Sequence, residues 1–323
     1  MELLKKLTQA FGPSGNEQTV RDIITEEIKG FCDETKVDTL GNLVVRKYGG
    51  GKKLMLSAHM DEIGIIATVI DDKNFVHFSE IGGVKINALH SSKVKFIDGT
   101  IGIIYEKSEK PTKFSDLYID IPNICKGEGL YNISVGDTAV MASEFNLSGD
   151  FVSSKALDDR VGCYILLETL KSITKPNYDL YFVFTVQEEL GLRGAKTAAA
   201  GISPDYAIAV DVTVCDDIPG GGKYPLVLGK GPAIKVKDGS VICHPEIKRL
   251  LADTAKAERI DIQYEILDKG GTDAGAIHTT GVGVATGALS IPTRYIHTAC
   301  ETASISDIKN AVKLLSKVCG DTL

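Results

Sequence analysis

No uninterrupted apolar run in these 323 residues approaches the ~18–20 that a membrane-spanning helix needs, so no membrane partner is expected. The opening stretch, MELLKKLTQAFGPSG, lacks the longer apolar core and small-residue cleavage site of a secretory signal. A basic excess is also missing: 36 Lys and Arg stand against 43 Asp and Glu, a formal net charge of −7. That balance excludes a generic nucleic-acid binder, which carries a basic surplus. The seven cysteines, at 32, 125, 163, 215, 243, 300 and 319, include no CxxC pair. An odd number at that spacing speaks against both a zinc ribbon and a disulfide framework, and for free, mostly buried thiols in a reducing cytoplasm. The N-x-Ser/Thr triplets at Asn132 and Asn146 then carry no weight.

Several catalytic signatures are absent too. There is no GxSxG elbow, no HExxH and no GxxxxGK followed by Ser or Thr. Gly281, Gly283 and Gly287 give GxGxxxG, one residue too long for a dinucleotide fingerprint. No internal repeat or low-complexity segment is found. What is present is an ordinary globular composition, 43% hydrophobic, at a length that suits two or three folding units. The carboxylate surplus has a second meaning, because hard and borderline cations bind oxygen ligands.

Along the chain, Val20, Ile23, Ile24 and Ile28 recur at helical spacing behind Gly12-Pro13-Ser14-Gly15, which predicts an amphipathic helix over Glu17 to Lys29. Lys53 to Ala58 is a short apolar run that breaks into His59-Met60-Asp61, as a buried strand entering a polar loop would. Residues 62–149 change character, with Ile/Val-rich runs, many glycines and a hairpin signal at Asp98-Gly99. They read as a small all-β module. Beyond residue 150 helices and strands alternate again. A helix is predicted over Val161 to Ile173, and strands over Leu180 to Val186, Tyr206 to Val210 and Val282 to Leu289. Pro245 to Ala257 reads as a helix, and a last one begins at a Ser304/Asp307 capping box and stops at Gly320. The expected architecture is an α/β domain made of 1–61 plus 150–323, interrupted by a β-rich domain at 62–149.

Polar residues follow the apolar strands: His59 and Asp61, then Glu188 and Glu189, then Asp211. In an open α/β sheet the carboxyl ends of the strands line the ligand crevice, so such residues can converge. Asp158 and Asp159 in a loop, and His297 in Arg294-Tyr295-Ile296-His297, complete the inventory. Taken singly, each is an unremarkable turn, cap or surface residue. Taken together, they suit metal-assisted hydrolysis, which needs a carboxylate bridging two cations, terminal His and carboxylate ligands, and a spare carboxylate as general base. The histidines at 77, 90, 244 and 278 have no comparable setting.

Six segments in this order carry a resemblance: His59-Met60-Asp61-Glu62-Ile63-Gly64, Lys155 through Gly162 (KALDDRVG), Gln187 through Gly194 (QEELGLRG), Asp211-Val212-Thr213, Gly270-Gly271-Thr272-Asp273-Ala274 and Arg294 through Thr298 (RYIHT). The chain resembles the glutamyl and tetrahedral aminopeptidases, cytoplasmic dinuclear metallopeptidases. The resemblance implies a three-layer α/β/α domain with an inserted barrel-like β domain for oligomerisation. It implies two divalent ions, zinc or cobalt, with His59 and Asp211 on one, Glu189 and His297 on the other, and Asp158 bridging. Glu188 would be the general base, deprotonating a water held between the metals, and Asp61 would orient His59. Short peptides with a free N-terminus would be the substrates, and a dimer-based homo-oligomer, up to a dodecamer, the assembly. The segment after Thr213 departs from the family in reading Val214-Cys215-Asp216-Asp217, and the stretch between Tyr105 and Ser134 is shorter than usual. The rival readings are a dinuclear deacylase of N-acyl amino acids, a glycoside hydrolase using paired carboxylates, and a structural oligomer with a vestigial site.

Overall fold

The computed structural model describes residues 1–107, 109–121 and 133–322. Cys125, Asn132 and much of the short stretch before Ser134 lie outside the described residues. An 11-stranded mixed sheet forms the middle layer, with helices on both faces. At its centre Asp179–Thr185, Lys53–His59, Tyr206–Val214 and Ala285–Arg294 run side by side and parallel. The first three are near-continuous apolar runs, the pattern of strands covered on both sides. Their register places Thr185 opposite His59 and Asp211 opposite Ser290, so the polar residues gather at one edge of the sheet.

The helix Leu157–Ser172 is buried over most of its circumference. It lies between the sheet and two outer helices, Glu2–Gln9 and Ile305–Cys319, so it needs no polar face. On the opposite face Arg193–Ile202 is amphipathic, with Ala195, Ala198, Ala199 and Ile202 turned inward. Among the described residues no helix is long and apolar enough to cross a membrane.

Between Lys53–His59 and Leu157–Ser172 the chain leaves the sheet and closes a six-stranded barrel. Its strands are Gly64–Ile70, Val76–Ile81, Leu117–Asp120, Ile101–Glu106, Lys93–Phe96 and Thr138–Met141. Alternation is plain in Lys93–Phe96, where Val94 and Phe96 point into a core shared with Ile65, Phe78, Ile104 and Ile119. The expected boundary at 149 is displaced. Asn146–Ser148 turns back at Gly149 and pairs with Phe151–Ser154 in the large sheet.

Two other expectations shift. The strand predicted from Val282 begins only at Ala285 and runs to Arg294, because Gly281 and Gly283 take positive φ and leave Val282 in solvent. The final helix is half a capping box: the Ser304 hydroxyl accepts the Asp307 N–H at 3.4 Å. The Asp307 carboxylate instead accepts the N–H groups of Gly229 and Gly231, at 2.8 and 2.7 Å.

A buried guanidinium ties the site's supports together. Arg160 is fully buried and donates to the carbonyls of Met60, Leu7, Ala10 and Gly12, and it pairs with Glu62 at 3.2 Å. Lys155 holds the other Glu62 oxygen at 2.7 Å. Arg160→Leu would leave the Glu62 carboxylate to Lys155 alone and take a charged donor from four buried carbonyls. It is expected to cost ~3–5 kcal/mol, the penalty for breaking a buried ion pair, read as a lower denaturant midpoint in urea.

Candidate active site

The seven site residues named above come together at the carboxyl edge of the central strands, where all but the fully buried Asp61 line a cavity of about 460 Å³. His59 closes its strand, Asp211 lies inside Tyr206–Val214, and Glu188 and Glu189 follow Asp179–Thr185. His297 follows Ala285–Arg294, held at φ +64. Asp158 opens the central helix with non-helical dihedrals, and its peptide bond to Asp159 is cis.

Two groups of potential ligands form, and Asp158 belongs to both. One is His59, Asp158 and Asp211; the other is Asp158, Glu189 and His297, with ligand atoms in each group within 4.8 Å of one another. Asp158 Oδ1 lies 3.1 Å from His59 Nε2, and its Oδ2 lies 3.3 Å from His297 Nε2. Asp211 Oδ1 is 3.8 Å from His59 Nε2, and Glu189 Oε1 is 3.0 Å from His297 Nε2. Glu188 belongs to neither group, though its Oε2 stands 3.9 Å from His59 Nε2.

The far side of each imidazole decides what this geometry can accept. His59 Nδ1 is 3.0 Å from the Asp61 carbonyl, and His297 Nδ1 is 3.0 Å from the Gly83 carbonyl. A carbonyl only accepts, so each Nδ1 carries a proton, and each ring, whenever Nε2 is not protonated as well, turns an Nε2 lone pair toward carboxylate oxygens. Lone pairs facing anions repel unless positive charge, a proton or a metal ion, stands between them. Glu189 Oε1, buried and without a hydrogen-bond partner, points the same way. The residues therefore fit a pair of cations.

The electrostatics of the cation-free chain agree. Burial disfavours charge on His297, yet its contacts with Asp158 and Glu189 raise its pKa to about 11. Burial is likewise overridden at His59 by Asp158 and Asp61, leaving it well above the usual imidazole range. Asp158 is held below the ordinary carboxylate range by the two histidines despite burial. Asp211 and Glu188 move well upward, through burial and then through neighbouring carboxylates. A proton takes the place of positive charge wherever the site can hold one.

Asp61 has a wider part than the resemblance implied. Its carbonyl, rather than its carboxylate at 3.5 Å, is within hydrogen-bond reach of His59 Nδ1. The carboxylate accepts the N–H groups of Glu188 at 3.0 Å and Glu189 at 3.2 Å, and the Ser14 hydroxyl at 2.6 Å. Sequence reasoning missed Glu301, whose two oxygens accept the N–H groups of Asp158 at 2.9 Å and His297 at 2.8 Å. No motif announced it. Cys215 joins neither ligand group; its thiol contacts Asp217 and the Leu226 carbonyl. His77, His90, His244 and His278 make local contacts away from the site.

Residues 41–314 match the M42 glutamyl aminopeptidase family. The chain belongs to that family. A relative from Acetivibrio thermocellus is 53% identical over 318 residues, covering 97% of this chain and 96% of that protein. Among solved structures, an aminopeptidase from the archaeon Desulfurococcus kamchatkensis superposes with a TM-score of 0.93 at 39% identity, covering 99% of this chain and 94% of that one. The TET1 peptidase of Pyrococcus horikoshii, which can assemble into a tetrahedron or a large octahedral shell, gives 0.88 at 36% identity, covering 99% and 98%. This M42 aminopeptidase is thus a metal-dependent peptide hydrolase whose mixed α/β fold matches that of its solved relatives and includes a closed six-stranded barrel. Divalent ions belong to the chemistry of the M42 family, and the two ligand groups give them a place. Glycoside hydrolysis by paired carboxylates would leave both imidazoles without a role.

Proposed function

We propose that the chain releases N-terminal residues from short peptides with two divalent cations. One would be held by His59, Asp158 and Asp211, the other by Asp158, Glu189 and His297. The shared position of Asp158, one oxygen in each group, is the observation that carries this reading. When bound, the cations supply Lewis acidity that polarises the scissile carbonyl and lowers the pKa of the attacking water. Glu188, spent on neither cation, takes the proton from that water at a carboxylate oxygen and returns it to the departing amine. Asp61 keeps Glu188 in place by its N–H and keeps His59 in the tautomer that leaves Nε2 free. The carboxylate-lined cavity favours a substrate with a positive α-amine, which makes the enzyme an exopeptidase.

His and carboxylate ligands suit zinc and cobalt alike. We place the enzyme in the cytoplasm, where the free thiols of Cys32, Cys163, Cys215, Cys243, Cys300 and Cys319 stay reduced. The shell-forming relative and the dodecamer of another solved relative support a homo-oligomer, and we propose one built from dimers, up to a dodecamer.

Chelated protein is expected to lose hydrolysis of aminoacyl-anilides and to regain it on adding zinc or cobalt. N-acetylated versions of the same anilides should not be cleaved. Equal or faster cleavage of the N-acetyl panel would make the enzyme a deacylase, and activity that survives chelation would overturn the metal reading.

A further inference from the structure

The two imidazoles are oriented by the same device from different parts of the fold. His59 donates Nδ1–H to the Asp61 carbonyl, inside the catalytic layer that carries it. His297 donates to the Gly83 carbonyl, on the loop that follows the barrel strand Val76–Ile81. That loop also closes on the other terminal ligand of the same cation. A Cβ on Gly82, which sits at φ +77, would come within 2.9 Å of Glu189 Oε2. One on Gly83 would come within 2.6 Å of His297 Nδ1, so only the bare main chain fits this close. Lys85 adds a third tie by donating to the Ile296 carbonyl at 2.8 Å.

On the catalytic side, Glu301 holds the His297 N–H. His297 is therefore gripped at its main chain by one domain and at its ring by the other. His59 is held at both ends from the catalytic side, by Asp159 at its N–H (3.1 Å) and the Asp61 carbonyl at its ring, and its side chain is 2% exposed where that of His297 is 25% exposed. The first cation's ligands belong to the sheet and its central helix; the second cation's depend on how the barrel is seated.

We propose that Gly83 is a positioning residue for the second cation, and that the inserted barrel thereby sets the affinity of that position alone. The proposal rests on the dinuclear reading above. Oligomer contacts made through the barrel would reach the catalytic centre by this path, since any displacement of Gly83 moves the acceptor that selects the His297 tautomer.

The test is cobalt titration of the chelated full-length protein, followed by visible absorbance and by metal content after gel filtration. Wild type should take up two ions per chain; uptake of none or one sinks the dinuclear reading itself. With two in wild type, Gly83→Ala should keep the first ion at unchanged affinity and bind the second ~10–100-fold more weakly, the usual loss when a supporting hydrogen bond to a ligand is removed. Two ions at wild-type affinities, or equal weakening of both, overturns the proposal. Should Gly83→Ala fail to fold by circular dichroism, Lys85→Met decides, because it cuts the tie to Ile296 without adding bulk at the ring. Selective weakening of the second ion in that variant supports the proposal, and unchanged binding overturns it.

Discussion

Asp158→Asn is expected to strip the enzyme of bound metal and to reduce hydrolysis to the level of chelated wild type. Asp158 alone belongs to both ligand groups, with Oδ1 facing His59 Nε2 at 3.1 Å and Oδ2 facing His297 Nε2 at 3.3 Å. An asparagine can offer its carbonyl oxygen to one side only. Its NH2 group then presents donors to the other, where a cation should sit. The change also removes the one charge that lies between the two positions. Even in the cation-free chain the neighbouring histidines hold the Asp158 pKa below the ordinary range despite burial, so the carboxylate is already ionised where the cations would meet it. Elemental analysis of the purified variant, beside anilide hydrolysis, checks the expectation. Wild-type metal content in Asp158→Asn would remove Asp158 as the bridge.

The strand-end residues were legible because a parallel strand covered on both faces tolerates polar side chains poorly along its length. His59 after LMLSA and Glu188 after FVFTVQ interrupt apolar runs, and the register of the parallel pairs brings their strands to a common edge. Asp158 was legible as a loop residue even though it opens a helix, since its ψ of 106 is not helical. Glu301 was not legible. It acts through its carboxylate on the main-chain N–H of Asp158, 143 positions away, and such a contact leaves no pattern in residue types. Gly83 was hidden for the opposite reason: what it contributes is a carbonyl and the absence of a side chain, so Gly82-Gly83 reads as a turn between β elements. The part of Asp61 was half legible. The resemblance implies that Asp61 orients His59, and it is the Asp61 carbonyl that lies behind the imidazole, which frees the carboxylate to hold the loop carrying Glu188 and Glu189.

Glu188→Gln should separate binding from chemistry. Glu188 stands outside both ligand groups, so the variant is expected to keep wild-type metal content. Its main chain should stay in place, because Asp61 holds the N–H and the Glu188 carbonyl accepts from Gly191 and Leu192 at 2.8 Å, contacts that glutamine retains. What glutamine loses is the capacity to accept a proton, and kcat is expected to fall ~10²–10⁴-fold with little change in KM. The pH profile gives a second readout. Burial, and then the charges of Asp211 and Glu189, push the Glu188 pKa well above the ordinary carboxylate range in the cation-free chain, with His59 pulling against them. Bound cations add to that downward pull. A base works only when deprotonated, so wild-type kcat should rise with pH through the Glu188 pKa and level off above it. In Glu188→Gln that acid limb should vanish, leaving the low residual rate nearly flat over the range in which metal stays bound. A variant that retains near-wild-type turnover, or one whose acid limb is unmoved, would assign the proton transfer to another group.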